Sequence, residues 1–575
     1  MRRNLTIAYR ASLVPDRRRP NPDTPNPSSA PFQAPIAQTI VSYQLAGSGQ
    51  PLPEWPDRAE AFYKRAGTLK DERRFAEALA AFDNAIALKP DYAQAHNGRG
   101  IVLAYVNRPS EAIGSFDRAI ALRPDYAEAH NNRALVLQDL GQFEEALTSL
   151  DRAIALQPDN ARAHNNRGVV LHGLRRDEEA LASHDKAIAL KGDYAEAHYN
   201  RAVALQELDR LDDALASLDR AMALKADYAA AHNNRGTLLL HLNRLDEALA
   251  ALDRAIALSG GFPEAYLNKS YCLLQMGRFE DGWRLHEWRK KTERPVGHRA
   301  FPQPLWLGNE SVVNKTVFVH CEQGFGDTLQ FCRYANLLRA RGANVVMSVQ
   351  EPLHRLIDRS MPDIRILKND VAPAAFDYHS PLMSLPLAFG TTLENVPSTV
   401  PYLFADDAQR KIWEARFPPP TKPRIGLAWS GNAKQKNDLN RSIGLAALAP
   451  IFAVDAHWIS LQKEVRDVDR PLLENFRKIS HYGGFLTDFS DTAAVIAGLD
   501  LVVTVDTSVA HLAGAMGKPV WILLAFAADW RWLVDREDCP WYPTARLFRQ
   551  QTPHAWDGVV GRVLAALTSF AEARK

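Results

Sequence analysis

A 34-residue unit returns six times between Ala59 and Phe262, and a seventh, drifting copy runs to about Arg294 before an unrelated C-terminal half begins. The period is visible directly: FDNAIALKPDYAQAHNGRG at Phe82 returns as FDRAIALRPDYAEAHNNRA at Phe116 and as LDRAIALQPDNARAHNNRG at Leu150. Asp83, Asp117, Asp151, Asp185, Asp219 and Asp253 keep strict register. Each unit holds two runs of small or apolar residues at helical spacing, separated by a break such as Gly-Gln-Phe or Asn-Arg-Leu, and often closes on Pro-Asp (Pro90, Pro124, Pro158). That pattern predicts one helical hairpin per repeat. A single hairpin cannot bury its apolar face, whereas stacked hairpins share a continuous core and wind into a superhelix with a concave surface. Such a surface suits an extended peptide, so a polypeptide partner is expected.

The unit length, the Ala at position 20, the Ala at position 27 and the Pro at position 32 resemble the tetratricopeptide repeat, although the Trp and Leu usual at positions 4 and 7 are replaced by His and Arg. Three ladders follow from the register. His96, His130, His164, His198 and His232 stand one repeat apart, roughly 10 Å by the spacing of packed helices, too far for shared coordination at about 2 Å. They occupy a large-aromatic slot, filled by Phe62 and Tyr266 in the flanking repeats, and are expected to pack. Arg65, Arg99, Arg133, Arg167, Arg201, Arg235 and Lys269 stand where the family buries Leu. A buried cation needs a partner, and the Asp ladder, continued by Glu287, is the candidate. The third ladder is Asn132, Asn166, Asn200, Asn234 and Asn268, with Lys64 and Gly98 in the first two repeats. An Asn amide can hold a peptide backbone without reading side chains, and the slot resembles the asparagine ladder of O-GlcNAc transferase, which implies acceptor binding. A local cap or an inter-repeat hydrogen bond is the open alternative.

The 575 residues, 46% hydrophobic and 24% charged, leave room for two or three domains. A net charge of +2 gives no footprint for nucleic acid. Cys272, Cys321, Cys332 and Cys539 show no close pair and no metal spacing, which fits a reducing cytoplasm. The opening MRRN leads into no apolar run, so no secretory signal is expected, and no stretch reaches the length of a membrane span. Residues 1–57, rich in Pro, Arg, Ser and Asn, are expected to be disordered.

After Arg294 a strand-then-helix rhythm begins. KTVFVHCE at Lys315 is a strand, QGFGD a turn, TLQFCRYANLLRARG an amphipathic helix and NVVMSVQ the next strand. This β-loop-α-β unit opens a Rossmann-like sheet. A second series starts at Arg424 with IGLAWSGN, passes through HWISLQ and DLVVTVDT, and ends on KPVWILLAF, with the Pro-rich link FPPPTKP before it. Two such halves with a cleft between them make a GT-B glycosyltransferase architecture. The expected fold is therefore an α-solenoid over 58–296 followed by an α/β GT-B fold with Rossmann-like domains at 297–420 and 421–575.

VDTSVAHLAGAMGKPVW from Val505 resembles the C-terminal signature of glycosyltransferase family 9, the heptosyltransferase-like enzymes, written D-T/S-x3-H-x2-A-x4-P. GFGDTLQFCRY resembles that family's N-terminal Gly-Asp turn, and GLAWSGN with NRSI its mid-chain nucleotide-side segment. The layout of repeats plus GT-B half is also similar to O-GlcNAc transferase. The resemblance implies transfer of a sugar from a nucleotide-sugar donor, which is a substrate, so no cofactor is expected. Asp506, Thr507 and Ser508 lie where a buried strand turns into a helix, whose N-terminus can receive a diphosphate. Thr507 and Ser508 are assigned to the phosphates, and Asp506 to capping that turn or to a sugar hydroxyl. His511 is expected to donate to a phosphate or ribose oxygen, while Gly514, Ala515 and Gly517 keep the helix close to the sheet. Gly326, Ser430, Gly431, Asn432, Arg441 and Gly514 complete the donor set. Lys434, Lys436 and Arg441 are placed to neutralise the leaving diphosphate. Asp327 is the expected general base, with an N-cap role equally compatible with its position. Asp500 and Asp506 are too widely spaced for a DxD metal pair, so no metal is implied. Trp530, Trp532 and Trp541 either stack a base or pack, and packing is the commoner use.

Overall fold

A computed structural model of the protein describes residues 55–292, 299–433, 438–475 and 478–573. Lys434, Lys436, the expected disordered segment up to residue 54 and the junction expected at 296/297 lie outside these residues. The chain divides into two compact units between Ala226 and Asp227.

The first unit holds five helical hairpins, from Trp55–Asp71 with Phe75–Leu88 to Ala195–Glu207 with Leu211–Leu224. The repeated alanines explain the close packing: Ala78, Ala112, Ala146, Ala180 and Ala214, and Ala85, Ala119, Ala153, Ala187 and Ala221, are all wholly buried. One larger side chain per repeat fills the remaining space (Phe82, Phe116, Leu150, His184, Leu218). Its neighbour is often glycine, because a Cβ at Gly100 would lie 2.6 Å from Phe116 and one at Gly168 would lie 2.5 Å from His184. The break inside each hairpin is a single left-handed residue: Arg73, Asn107, Gly141, Arg175 and Asp209 have φ between 60° and 76°. Only Gly141 takes that conformation without a Cβ penalty.

The second unit opens with two more hairpins, Ala229–His241 with Leu245–Leu258 and Pro263–Gln275 with Phe279–His286. Two parallel sheets follow. The first has β1 (Thr316–His320), β2 (Asn344–Val349), β3 (Arg365–Lys368) and β4 (Tyr378–Pro381) in the order β3-β2-β1-β4. The second has β5 (Arg424–Ala428), β6 (His457–Ser460), β7 (Ile479–His481), β8 (Leu501–Val505), β9 (Val520–Leu524) and β10 (Ala545–Arg549) in the order β10-β9-β8-β5-β6-β7. Helices lie between most successive strands, β3 and β4 being joined by a helix-free segment, and every residue of β8 is buried, as parallel strands covered on both faces require. Two parallel α/β sheets in series are the architecture of the GT-B fold. Among the described residues, no helix is long and apolar enough to cross a membrane.

Candidate active site

The three motif segments follow the C-terminal ends of β1, β5 and β8. In each sheet these strands flank the position where strand order reverses, between β1 and β4 in one and between β5 and β8 in the other. Ligands of open parallel sheets lie outside the carboxyl ends at that reversal.

After β1, Gly324 is the N-cap of the Phe325–Phe331 helix and Asp327 is its third residue. Asp327 Oδ2 accepts the Gly324 N–H at 2.8 Å. The carboxylate therefore caps from within the first turn, in the manner of a capping box, and not from the N-cap position. Its Oδ1 is paired with the Arg531 guanidinium. Arg531 also donates to Gln330 Oε1 at 2.7 Å and to Asp529 Oδ1 at 2.8 Å, and lies 4.3 Å from the centroid of the Trp530 ring. Burial pushes the Asp327 carboxyl above its ordinary pKa, and Arg531 opposes the shift.

After β8, the expected capping role of Asp506 is corrected. Thr507 is the N-cap of the Ser508–Ala515 helix, its Oγ1 accepting the Val509 N–H at 3.3 Å, because a residue with extended backbone beside the first turn can reach that donor. Asp506 is pushed up to about 6, first by burial and then by the charge of Asp529, with Arg441 opposing. Ser508 is half-buried at the first turn. His511 shares a hydrogen bond between Nδ1 and the Tyr542 hydroxyl at 3.0 Å and stacks on Trp532 at 5.3 Å. Burial, with the fields of Arg531, Arg333 and Arg441, holds the imidazole neutral. A Cβ at Gly326 would lie 2.7 Å from His511 Cδ2, so the Gly-Asp turn and the Ser508–Ala515 helix touch at these two residues. Gly514 is corrected from a donor contact to a packing residue: the Tyr542 ring occupies the space beside it, 2.5 Å from where a Cβ would be.

After β5, Gln462 occupies Ser430, accepting its N–H at 3.2 Å and donating to its Oγ at 3.0 Å. Gly431 donates to Ser442 Oγ at 3.0 Å, and a Cβ there would lie 2.6 Å from both Arg441 and Asp438. Asn432 is exposed. Arg441 lies 3.5 Å from the buried Asp438 carboxylate, which Arg466 also engages. Asp500 accepts the Arg424 N–H at 2.8 Å, just before β8, whereas Asp506 follows the far end of that strand. Trp530, Trp532 and Trp541 are buried packing residues.

Sequence reasoning did not single out Arg531, Asp529, Tyr542, Gln462 or Arg466. Arg531 and Asp529 fall in the DWRWLVDRED segment, where charge alternates with tryptophan; weighing the charges alongside the rings is the signal that would have found them.

The ladders resolve differently. Nε2 of His96, His130, His164 and His198 lies 3.0–3.2 Å from the carbonyl six residues back, so these half-buried rings close the turn between repeats as well as pack. The cations are corrected from buried to partly exposed: Arg99, Arg133, Arg167 and Arg201 reach the Asp sixteen residues earlier at 2.6–2.7 Å, with 26–27% of each Arg side chain exposed. Lys269 pairs with Asp253 at 2.5 Å in the same way, but Glu287 turns to Arg289 and Lys290. Asn132, Asn166 and Asn200 donate to Asn97, Asn131 and Asn165 at 2.9–3.1 Å, and Asn268 to Asn233 at 3.0 Å. Asn234 accepts from Asn233 at 3.4 Å. All five are 2–8% exposed. Of the two readings of this slot, these bonds support the one between repeats: Asn132, Asn166, Asn200 and Asn268 each give a side-chain N–H to the preceding repeat.

Models of the tetratricopeptide repeat match residues 63–127, 199–263 and 115–148, and a model of the TPR repeat matches 137–174. The model of glycosyltransferase family 9 (heptosyltransferase) matches residues 486–549. Protein FlbA of Caulobacter vibrioides is 26% identical over 317 residues, 51% of this chain and 52% of that protein, so the chain spans about half the length of this curated relative. Among solved structures, the APC/C hetero-tetramer Cut9-Hcn1 is similar with a TM-score of 0.36 and 20% identity over 38% of this chain and 43% of that one. YrrB, a TPR protein with an unusual peptide-binding site, is similar with a TM-score of 0.28 and 24% identity over 32% of this chain and 95% of that one. The chain thus carries tetratricopeptide repeats through its N-terminal region and a glycosyltransferase family 9 segment in its C-terminal region.

Proposed function

We propose that the chain is a glycosyltransferase that moves a sugar, with inversion and without a metal, from a nucleotide-sugar donor to a polypeptide recruited by the repeats. The observation that carries this reading is the meeting of Gly326 with His511, which brings a half-buried carboxylate beside a helix N-terminus. In this mechanism the acceptor hydroxyl attacks C1 and passes its proton to Asp327 as the bond from C1 to the diphosphate oxygen breaks. The departing diphosphate takes up the electron pair against the N–H groups at Ser508, the Thr507 and Ser508 hydroxyls and Arg441. The raised pKa of Asp327 suits a base.

A second reading, a ligand-binding half that performs no transfer, is favoured by the engagement of Asp327 Oδ1 with Arg531. The test is incubation of wild type and Asp327→Asn with a panel of labelled nucleotide sugars and host-cell lysate, followed by separation of labelled protein from labelled lipid. Label on protein, reduced about 10²- to 10⁴-fold in the variant, is the expected result. Label on glycolipid would replace the polypeptide acceptor, and donor binding without label would favour the second reading.

A further inference from the structure

The last hairpin does more than end the repeat array. Phe279 and Trp283, both buried, pack against the segment that joins β9 to β10: Trp283 meets Trp530 edge-on at 5.1 Å and Phe279 stacks on Trp541 at 5.9 Å. Trp530 directly precedes Arg531, one partner of Asp327. The other side of that pair is held from the same hairpin. Arg289, in the single 3-10 turn that follows Phe279–His286, donates to Glu322 Oε2 at 2.8 Å and to Ser384 Oγ at 2.8 Å. Glu287 takes a second Arg289 bond at 2.6 Å and one from Lys290 at 2.5 Å. Two cations thus balance two carboxylates, and the Arg289 and Glu322 side chains are only 5% and 3% exposed. Glu322 stands two residues before Gly324, where the Gly-Asp turn begins. A buried ion pair leaves little freedom to the backbone on either side of it, because any displacement strips a charge of its partner.

We propose that Arg289 is a positioning residue for transfer: through Glu322 it sets the Gly324–Asp327 turn, so the last hairpin belongs to the transferase and not to the docking array. This rests on the transferase reading above for its kinetic consequence, but its structural consequence is separate.

The test uses the full chain carrying Arg289→Met, Arg289→Lys or Glu322→Gln, the last of which keeps side-chain volume should the first fail to fold. Amide hydrogen exchange without ligand should speed about tenfold or more over Gly324–Phe331 while Ser508–Ala515 keeps its rate. With uridine and guanosine diphosphate sugars as probes, kcat should fall about 100-fold, as for a misplacement of about 1 Å, with the donor KM within about threefold. Arg289→Lys should recover part of both. Turn amides at the wild-type rate, or the whole of 227–573 exchanging faster together, would overturn the proposal. If wild type transfers no sugar, the functional reading falls, and the exchange pattern alone decides whether Arg289 holds the turn.

Discussion

The two compact units join arginine to carboxylate in contrasting ways. In the first, Arg133 meets Asp117 at 2.7 Å with 26% and 51% of the side chains exposed, and the same geometry returns one repeat later as Arg167 with Asp151. In the second, Arg289 with Glu322 and Arg531 with Asp327 occur once each and are largely buried. Water screens the repeated pairs, so each adds little stability but helps hold neighbouring repeats in register. The unrepeated pairs lose that screening, and removing either partner strands a charge. In this chain, burial of a charge that breaks the repeat marks the site more sharply than a ladder does.

The strongest way to break the comparison is to truncate equivalent positions. Trp283 occupies the slot that Leu147 fills four repeats earlier, and both are buried. Trp283→Ala should cost about 3–5 kcal/mol and Leu147→Ala about 2–5 kcal/mol, through lost transfer energy and the cavity left behind. Only Trp283→Ala should weaken donor binding, because Trp283 alone packs on Trp530. Chemical denaturation with calorimetric titration of donor checks this; equal effects on binding would dissolve the distinction between the units.

A second test sharpens it by pH. His184 stands, fully buried, where Leu150 and Leu218 stand in neighbouring repeats. Burial, then the charges of His172 and Arg201, lowers it to about 3. The folded pKa is below the unfolded value of about 6.5, so between these values the unfolded chain binds the extra proton. This contribution is intact above about pH 6.5 and is lost as pH falls towards 3, by about 2 kcal/mol at pH 5. His184→Leu should remove that slope from the first unit and leave the second unchanged, as denaturation at pH 5 and 7.5 will show. An unaltered slope would place the acid sensitivity elsewhere.

The hairpins, their register and the strands bearing the three motifs were legible because each repeats a local period or a buried apolar run. Long-range pairings were not. Asp327 and Arg531 are 204 residues apart, and nothing local to either announces the other. Thr507 displaced Asp506 as the cap because two adjacent residues both qualify chemically and only backbone direction decides between them. The Asn slot was found, but which face it turns to its neighbours depends on how hairpins stack, which periodicity along one helix does not specify.

That ladder supplies the third test. Asn166 donates to Asn131 at 2.9 Å with both side chains buried. Asn166→Ala orphans a buried carbonyl and should cost on the order of 1–2 kcal/mol. Stability should fall while the acceptor KM holds. A weaker acceptor KM at unchanged stability would instead return the ladder to peptide binding.

The smallest effect belongs to the exposed pair. Register alone leaves Asp117 and Asp151 as equal partners for Arg133, and the structure selects Asp117 through Arg133 Nε, with Nη1 donating to Ser149 at 2.8 Å. A double-mutant cycle of Arg133→Met with Asp117→Asn should therefore give a coupling of about 0.2–1 kcal/mol, shrinking with added salt. The cycle with Asp151→Asn should give none, since Asp151 is engaged by Arg167. Coupling to Asp151 in place of Asp117 would mean the ladder links repeats in the opposite sense, and coupling to neither would leave the repeated Arg and Asp as independent solvated charges.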